Sequence, residues 1–245
     1  MSVKDYETRL YVKDNLSIGK SIVIKNDQSH YIRSVLRLKE NSQIALFNGE
    51  EGEWLSTIKT ISKKFVELEV IEQIKLQEVV SDIWLVFAPI KRTRIDYLAQ
   101  KATELGAGAL WPIFTKYTSV SRVNAERLRS NSIEAAEQSG RLTVPKILDP
   151  IDFDTLIEKW PHDRDLFCLD ETGKGVPILD AFRSSHRRAS GLLIGPEGGF
   201  AKEELDQVDK LGNVFRVSLG KRILRSDTAA VAALACWQAA AGDWL

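Results

Sequence analysis

Two apolar runs in the last third of the chain each break into a glycine-containing turn and then open a helix. No other feature constrains the fold as much. The first is Leu192-Leu193-Ile194-Gly195-Pro196-Glu197-Gly198-Gly199-Phe200. The second is Leu219-Gly220-Lys221-Arg222-Ile223-Leu224-Arg225-Ser226-Asp227-Thr228-Ala229. Strand–turn–helix units of this kind build a parallel sheet, and ligands of such sheets gather at the carboxyl ends of the strands. Gly195, Gly198 and Gly199 let a ligand approach the main chain closely. The second loop adds cationic side chains beside the first. Turn geometry alone accounts for one such loop. Two of them describe a pocket for a small cofactor, bordered by groups suited to a polyanion.

The rest of the chain is organised around this unit. From Ile83 onward, strand-like runs at 83–88, 109–114, 166–169, 191–194 and 214–219 alternate with helix-like stretches at 95–105, 125–139, 153–160, 202–211 and 228–241. In the first of these helices Ile95, Leu98, Ala102 and Leu105 share one stripe, and Gly106 ends it. The first 75 or so residues read differently. Runs at 9–12, 21–24, 44–47, 53–60 and 65–71 are rich in β-branched or aromatic residues, and Asn48-Gly49 with Gly52 supplies a turn. One helix, 30–38, interrupts them, with Ile32, Val35 and Leu36 on an apolar face and His30, Arg33 and Arg37 on another. A small barrel with one basic helix fits this stretch, and composition alone equally allows an OB-like barrel. The joint falls within the polar stretch 72–82, dividing the chain into 1–74 and 75–245.

Composition removes several classes. A chain of 245 residues with 44% hydrophobic and 28% charged residues buries a core and is not disordered. No window approaches the roughly 20 apolar residues of a membrane span, and the N-terminal stretch lacks the apolar core of a signal peptide. Cys168 and Cys236 have no paired-ligand spacing, which predicts a reduced, cytoplasmic protein. His30, His162 and His186 are scattered, so no metal is assigned. Net charge is zero, so any nucleic-acid binding must come from local patches. Lys91-Arg92-Thr93-Arg94 and Lys221-Arg222 with Arg225 qualify by position, whereas the arginines between 183 and 188 read as solvated surface. The chain carries neither a G-x-G-x-x-G dinucleotide loop nor a P-loop.

GPEGGF at 195–200 and LGKRILRSDTA at 219–229 resemble the cofactor loops of the RsmE family, the 16S ribosomal RNA uridine-N3 methyltransferases of the SPOUT superfamily. Further segments match in order: His30 with Val35-Leu36-Arg37, the KATELG run 101–106, the EAAEQSGR run 134–141, and Val144-Pro145. The resemblance runs from about residue 9 to the end. It implies an α/β chain with an N-terminal PUA-like β-barrel over 1–74 and a SPOUT parallel-sheet domain over 75–245. It also implies a C-terminal segment tucked into a trefoil knot, against the general rule that chains do not thread loops. S-adenosyl-L-methionine is the implied cofactor and 16S ribosomal RNA, or the small ribosomal subunit, the implied partner. A homodimer with active sites at its interface is implied too. Trp237 and Trp244 on the apolar last helix suit that surface or the monomer core.

Each loop residue then has an expected role. Leu169, Ile194, Leu219, Ile223 and Leu224 wall the adenine, Leu169 being equally readable as an ordinary core leucine. Backbone groups around Gly195, Pro196, Glu197 and Gly198 read the base edge, so Gly198→Val is expected to abolish cofactor binding. Methylating uridine N3 needs loss of a proton and in-line attack on the methyl group. Asp227 or Glu197 accepts the proton, and Arg225 stabilises the developing oxyanion or holds a phosphate. Ser226 or Asp227 equally suits the N-cap of the final helix. His30, Arg33, Arg37, Lys91, Arg94 and Arg222 are assigned to RNA. The chain departs from the family at two points, with Asp227 where Glu is more usual and no Arg-Ser pair in Thr115-Lys116-Tyr117-Thr118-Ser119. Other methyl acceptors, and a noncatalytic ribosome-assembly role, are the competing readings.

Overall fold

The computed structural model describes residues 6–185 and 189–244, and two compact units emerge from it. The first holds the chain up to Val79 together with Ala136–Thr143, and the second holds Val80–Ala135 and Val144 onward. His186, Arg187 and Arg188 lie outside the described residues, as do the side chains of Arg92 and Thr93.

The first unit is a five-stranded sheet of β1 (Thr8–Tyr11), β2 (Ser21–Lys25), β3 (Gln43–Phe47), β4 (Glu53–Ile61) and β5 (Phe65–Lys75), in the order β1-β3-β4-β5-β2. All pairs are antiparallel except β1 with β3. In β2 buried and exposed residues alternate strictly, as a strand with one solvated face requires. Ile22 and Ile24 thereby join Leu10, Ile44, Leu46, Ile58 and Leu68 in one core. The turn between β3 and β4 is fixed by Asn48, whose side-chain oxygen accepts the backbone N–H groups of Glu50 and Glu51 at 3.0 and 3.1 Å.

Residues 136–143 belong to this unit because of Arg9. Its guanidinium is buried, paired with the buried Glu53 carboxylate, and donates to the carbonyls of Ala136 (2.7 Å), Glu137 (3.0 Å) and Arg141 (2.9 Å). The first two are orphan carbonyls in the last turn of a helix, where a cation is favoured. Gly140, at φ +82°, ends that helix in the left-handed conformation. The EAAEQSGR segment therefore has a structural explanation inside the first unit.

The helix α1 (Asn26–His30) begins earlier than the sequence pattern indicated and continues into a wider, π-type turn over Tyr31–Val35. The Leu36 N–H reaches back five residues to Tyr31 O (3.0 Å), and Leu38 reaches six to Ile32 O (3.1 Å). Widening shifts the faces. Ile32 is buried as expected, but Val35 is 60% exposed.

The second unit contains β6 (Ile83–Phe87), α2 (Arg92–Glu104), β7 (Ala109–Phe114), α3 (Ala125–Ser139) up to Ala135, β8 (Lys146–Ile147), β9 (Ile151–Asp152) and α4 (Phe153–Lys159). It continues through β10 (Asp165–Leu169), β11 (Val176–Pro177), α5 (Ile178–Ser184), β12 (Ser190–Ile194), α6 (Lys202–Val208), β13 (Val214–Ser218) and α7 (Ser226–Ala241). Its strands are all parallel, in the order β11-β13-β10-β12-β6-β7-β8, with β9 beside β7. Every residue of β12 is buried, as a central parallel strand covered on both faces demands.

α7 packs against α2, α5 and β12, and one polar residue registers it. Gln238, fully buried, donates to the Leu105 carbonyl at the end of α2 (2.8 Å) and accepts the Asp243 N–H (2.9 Å). Gly106 of the KATELG run takes φ +82°, and a Cβ there would overlap the Gln238 amide. Gly106→Ala is expected to destabilise the protein by about 1–3 kcal/mol, from left-handed strain added to a displaced hydrogen bond. Denaturant unfolding checks this. An unchanged midpoint would mean that Gln238 moves aside without loss.

Candidate active site

The strand order reverses between β6 and β12, and the carboxyl ends of β10, β12 and β13 leave a cavity of about 320 Å³. This is where an open α/β sheet binds its ligand. Ile194 and Val217 are buried walls, and Leu169, Leu219 and Leu224 pack partly buried against the same core. Ile223 also borders the cavity but is 84% exposed, so that wall is open to solvent. Gly195, Pro196 and Glu197 complete the first loop's side. Ser226 ties the loops together: its hydroxyl donates to the Gly195 carbonyl at 2.8 Å.

Gly198 does not line the cavity. A side chain there would run into Tyr117, whose Cβ would stand 3.3 Å away. The glycine that faces inward is Gly199, at φ +69°, where a Cβ would overlap the Glu171 carboxylate. Its N–H closes the turn on Pro196 O at 3.0 Å.

Sequence reading stopped at Leu169 and missed the loop that follows. Asp170, Glu171, Thr172 and Gly173 all border the cavity. The buried Asp170 carboxylate shapes this loop by accepting the Thr172 N–H (2.8 Å), the Thr172 hydroxyl (3.0 Å) and Arg216 (2.7 Å). The signal was present, since Leu169-Asp170-Glu171-Thr172-Gly173 is a third strand end breaking into a glycine turn.

An ionic cluster stands where the first loop meets the start of α7. Arg94 lies 3.7 Å from Glu197 and 4.0 Å from Asp227. Such partly exposed pairs contribute about 0–1 kcal/mol, so their value is positional. Arg94, assigned to RNA from the sequence, is thus engaged with two carboxylates. The N-cap of α7 is Arg225, with no side-chain cap bond, and neither Ser226 nor Asp227 caps the helix. Asp227 sits in the first turn, accepting the Thr228 N–H at 2.9 Å. Arg225 and Arg222 are exposed and border the cavity, and Lys91 is exposed at the N-cap of α2.

In the first unit, His30 is exposed and its Nδ1 lies 3.2 Å from the Ser34 hydroxyl, while Arg33 donates to Ser29 O at 3.2 Å. Arg37 lies past the wide turn at φ +55°. It therefore does not continue an α-helical face with His30 and Arg33, as the spacing implied. Burial pushes the thiols of Cys168 and Cys236 up, so neither is disposed to form a nucleophilic thiolate. Among the described residues no group of three His, Cys, Asp or Glu is placed to hold a metal ion, and no helix is long and apolar enough to cross a membrane.

Comparison with known proteins assigns the class. The family model described as an RNA methyltransferase domain matches residues 77–238, and one described as an RNA methyltransferase PUA domain matches 24–71. The parallel sheet with a cavity at its strand ends is thus the fold of an RNA methyltransferase. A Rickettsia conorii protein named ribosomal RNA small subunit methyltransferase E is 35% identical, with 93% of each chain covered. The crystal structure of the Neisseria gonorrhoeae protein of that name, bound to S-adenosyl methionine, superposes with a TM-score of 0.87 at 29% identity, covering 98% of this chain and 100% of that one. A Legionella pneumophila putative methyltransferase with bound cofactor SAM gives 0.87 at 28%, covering 96% and 98%. This chain belongs to the ribosomal RNA small subunit methyltransferase E family.

Proposed function

We propose that this chain methylates N3 of a uridine in 16S ribosomal RNA, using S-adenosyl-L-methionine held in the cavity at the ends of β10, β12 and β13. The observation that carries the reading is the cavity lined by Glu197 and Arg225, with Arg94 reaching from Glu197 at 3.7 Å to Asp227 at 4.0 Å beside it. The residues fit the cofactor. Ile194, Leu219 and Leu224 offer apolar faces to an adenine, strand-end backbone groups face the same space, and the Glu171 carboxylate suits a cationic ligand. The volume falls in the range of small-molecule sites. When bound, the cofactor supplies an already activated methyl group.

The protein's task is then to position and deprotonate the uridine. Asp227 accepts the N3 proton: its Oδ1 takes the Thr228 N–H, while its Oδ2 stands 4.0 Å from Arg94. Arg225, exposed at the cavity edge, stabilises the negative charge that spreads to the uridine oxygens. Methylation at C5 would call for a cysteine nucleophile, and neither Cys168 nor Cys236 lines the cavity.

The remaining assignments belong to the same reading. His30, Arg33, Arg37, Lys91 and Arg222 contact RNA phosphates, the protein acts in the cytoplasm, and the C-terminal segment is threaded as a knot. Two chains form a homodimer through the half-buried, uncharged stripe of α7 at Val231, Ala232 and Ala235. Trp237, at 3% exposure, belongs to the core, while Trp244 is 57% exposed. Sedimentation that gives a monomer mass at every concentration, with full activity, would contradict the dimer. Replacing Arg33 and Arg37 together by Gln should weaken RNA binding, lower its salt slope by about 1 per lost contact, and leave cofactor affinity unchanged. An equal loss of cofactor affinity would make these residues structural.

Calorimetric titration with S-adenosyl-L-methionine tests the cavity directly. Saturable one-site binding, lost on Leu224→Arg, supports the assignment. No binding would leave a noncatalytic RNA-binding protein.

A further inference from the structure

We propose that Tyr117 is a stacking platform for the nucleobase delivered to the site, an inference that rests on the RNA methyltransferase reading above. Tyr117 lies in the turn after β7 with half of its surface exposed. The turn is held rigidly. The Thr118 hydroxyl accepts the Thr115 N–H at 2.9 Å, and the Thr118 N–H returns to Thr115 O at 3.1 Å. The largely buried Glu204 carboxylate takes the Lys116 N–H at 2.7 Å and, with its other oxygen, the Ala201 N–H at 2.8 Å. One carboxylate thus fastens the Tyr117 turn to the end of the glycine loop.

Tyr117 is seated against that loop. Its Cβ lies 3.3 Å from where a Gly198 side chain would begin, while Glu197 and Gly199 on either side of Gly198 border the cavity. A side chain at 198 is therefore excluded by an aromatic residue outside the cavity. Strand order places the parts in sequence across the sheet: cavity over β13, β10 and β12, Arg94 after β6, Tyr117 after β7. A base lying against Glu197, Arg94 and Asp227 has Tyr117 on its β7 flank.

An aromatic residue on a turn held in this way offers contact area at a lower ordering cost on binding. Lys116 adds an exposed ammonium 5.9 Å from the ring centroid, held at 3.3 Å by the exposed Glu203 carboxylate that a backbone phosphate would replace. Aromatic and cationic groups together are how single-stranded or splayed-out bases are held. The turn's hydrogen bonds are made by Thr115, Lys116, Thr118 and Glu204 and not by the ring, which leaves half of Tyr117 exposed.

The test measures methyl transfer to small ribosomal subunits from cells lacking this chain's gene, with wild type, Tyr117→Ala, Tyr117→Leu and Tyr117→Phe. Ala and Leu should raise KM for the subunit by about 5- to 150-fold, the worth of one base–aromatic stack. Phe should restore it, and the Kd for S-adenosyl-L-methionine should stay at the wild-type value in all four. A wild-type KM in the Leu variant overturns the proposal. So does a loss of cofactor affinity matching the loss of RNA affinity, which would mark Tyr117 as support for the glycine loop. Absence of transfer by the wild-type protein would instead remove the function itself, and this proposal with it.

Discussion

Asp227→Asn should slow methyl transfer by about 10²–10⁴-fold while S-adenosyl-L-methionine binds as in wild type. The substitution keeps the size of the side chain and an acceptor oxygen for the Thr228 N–H, but removes the charge and the capacity to take a proton. The helix start is little disturbed, because Arg225 is the N-cap without a side-chain bond and Asn at 227, in the first turn, still accepts the Thr228 N–H. The Arg94 link is weakened, yet an exposed pair of this length contributes about 0–1 kcal/mol, too little to explain a loss of several powers of ten. Single-turnover transfer to small subunits separates the step from product release. A rate within threefold of wild type would return the proton to Glu197, 3.7 Å from the same arginine. Asp227→Glu should retain most of the activity, since it keeps a carboxylate that can take the proton.

Gly199→Val should reduce cofactor affinity by about 100-fold or more, equivalent to about 2.7 kcal/mol. Two effects act at once. A β-branched residue at φ +69° is a severe backbone outlier, so the Pro196–Gly199 turn must open. The new Cβ also meets the Glu171 carboxylate, so that exposed side chain must swing away from its place at the cavity edge. Both changes fall on loops, and the strands beneath keep their packing, so the protein should remain folded. Gly198→Val is the informative control. It presses on Tyr117 instead of the cavity and should spare cofactor affinity while weakening RNA binding. Calorimetry on both variants decides the matter. Wild-type affinity in Gly199→Val would mean that the ligand sits elsewhere.

That contrast shows where sequence reading reached its limit. A run of glycines announces a special turn, but the sign of φ and the identity of the facing residue are three-dimensional facts. The parallel strands were legible because β6, β7, β10 and β12 are largely apolar runs and β13 alternates apolar with polar residues after Phe215, and their helices carry apolar stripes or small residues at the right period. The two-residue strands β8, β9 and β11 are too short to have a period, and α5 follows a turn that masked its start. The parallel pairing of β1 with β3 and the capture of residues 136–143 by Arg9 join positions distant in sequence. Arg37 was placed wrongly because a π-type turn changes the angular step that helical spacing assumes. Asp170 and Glu171 escaped notice because the reading of that strand ended at its last leucine.

The most direct measurement is nucleoside mass spectrometry of 16S ribosomal RNA after incubating small subunits, from cells lacking this gene, with purified protein and isotopically labelled S-adenosyl-L-methionine. The account predicts label in 3-methyluridine and nowhere else, lost with Asp227→Asn and with Gly199→Val. Label in a 2′-O-methylated nucleoside or in another base, with none in 3-methyluridine, would contradict it.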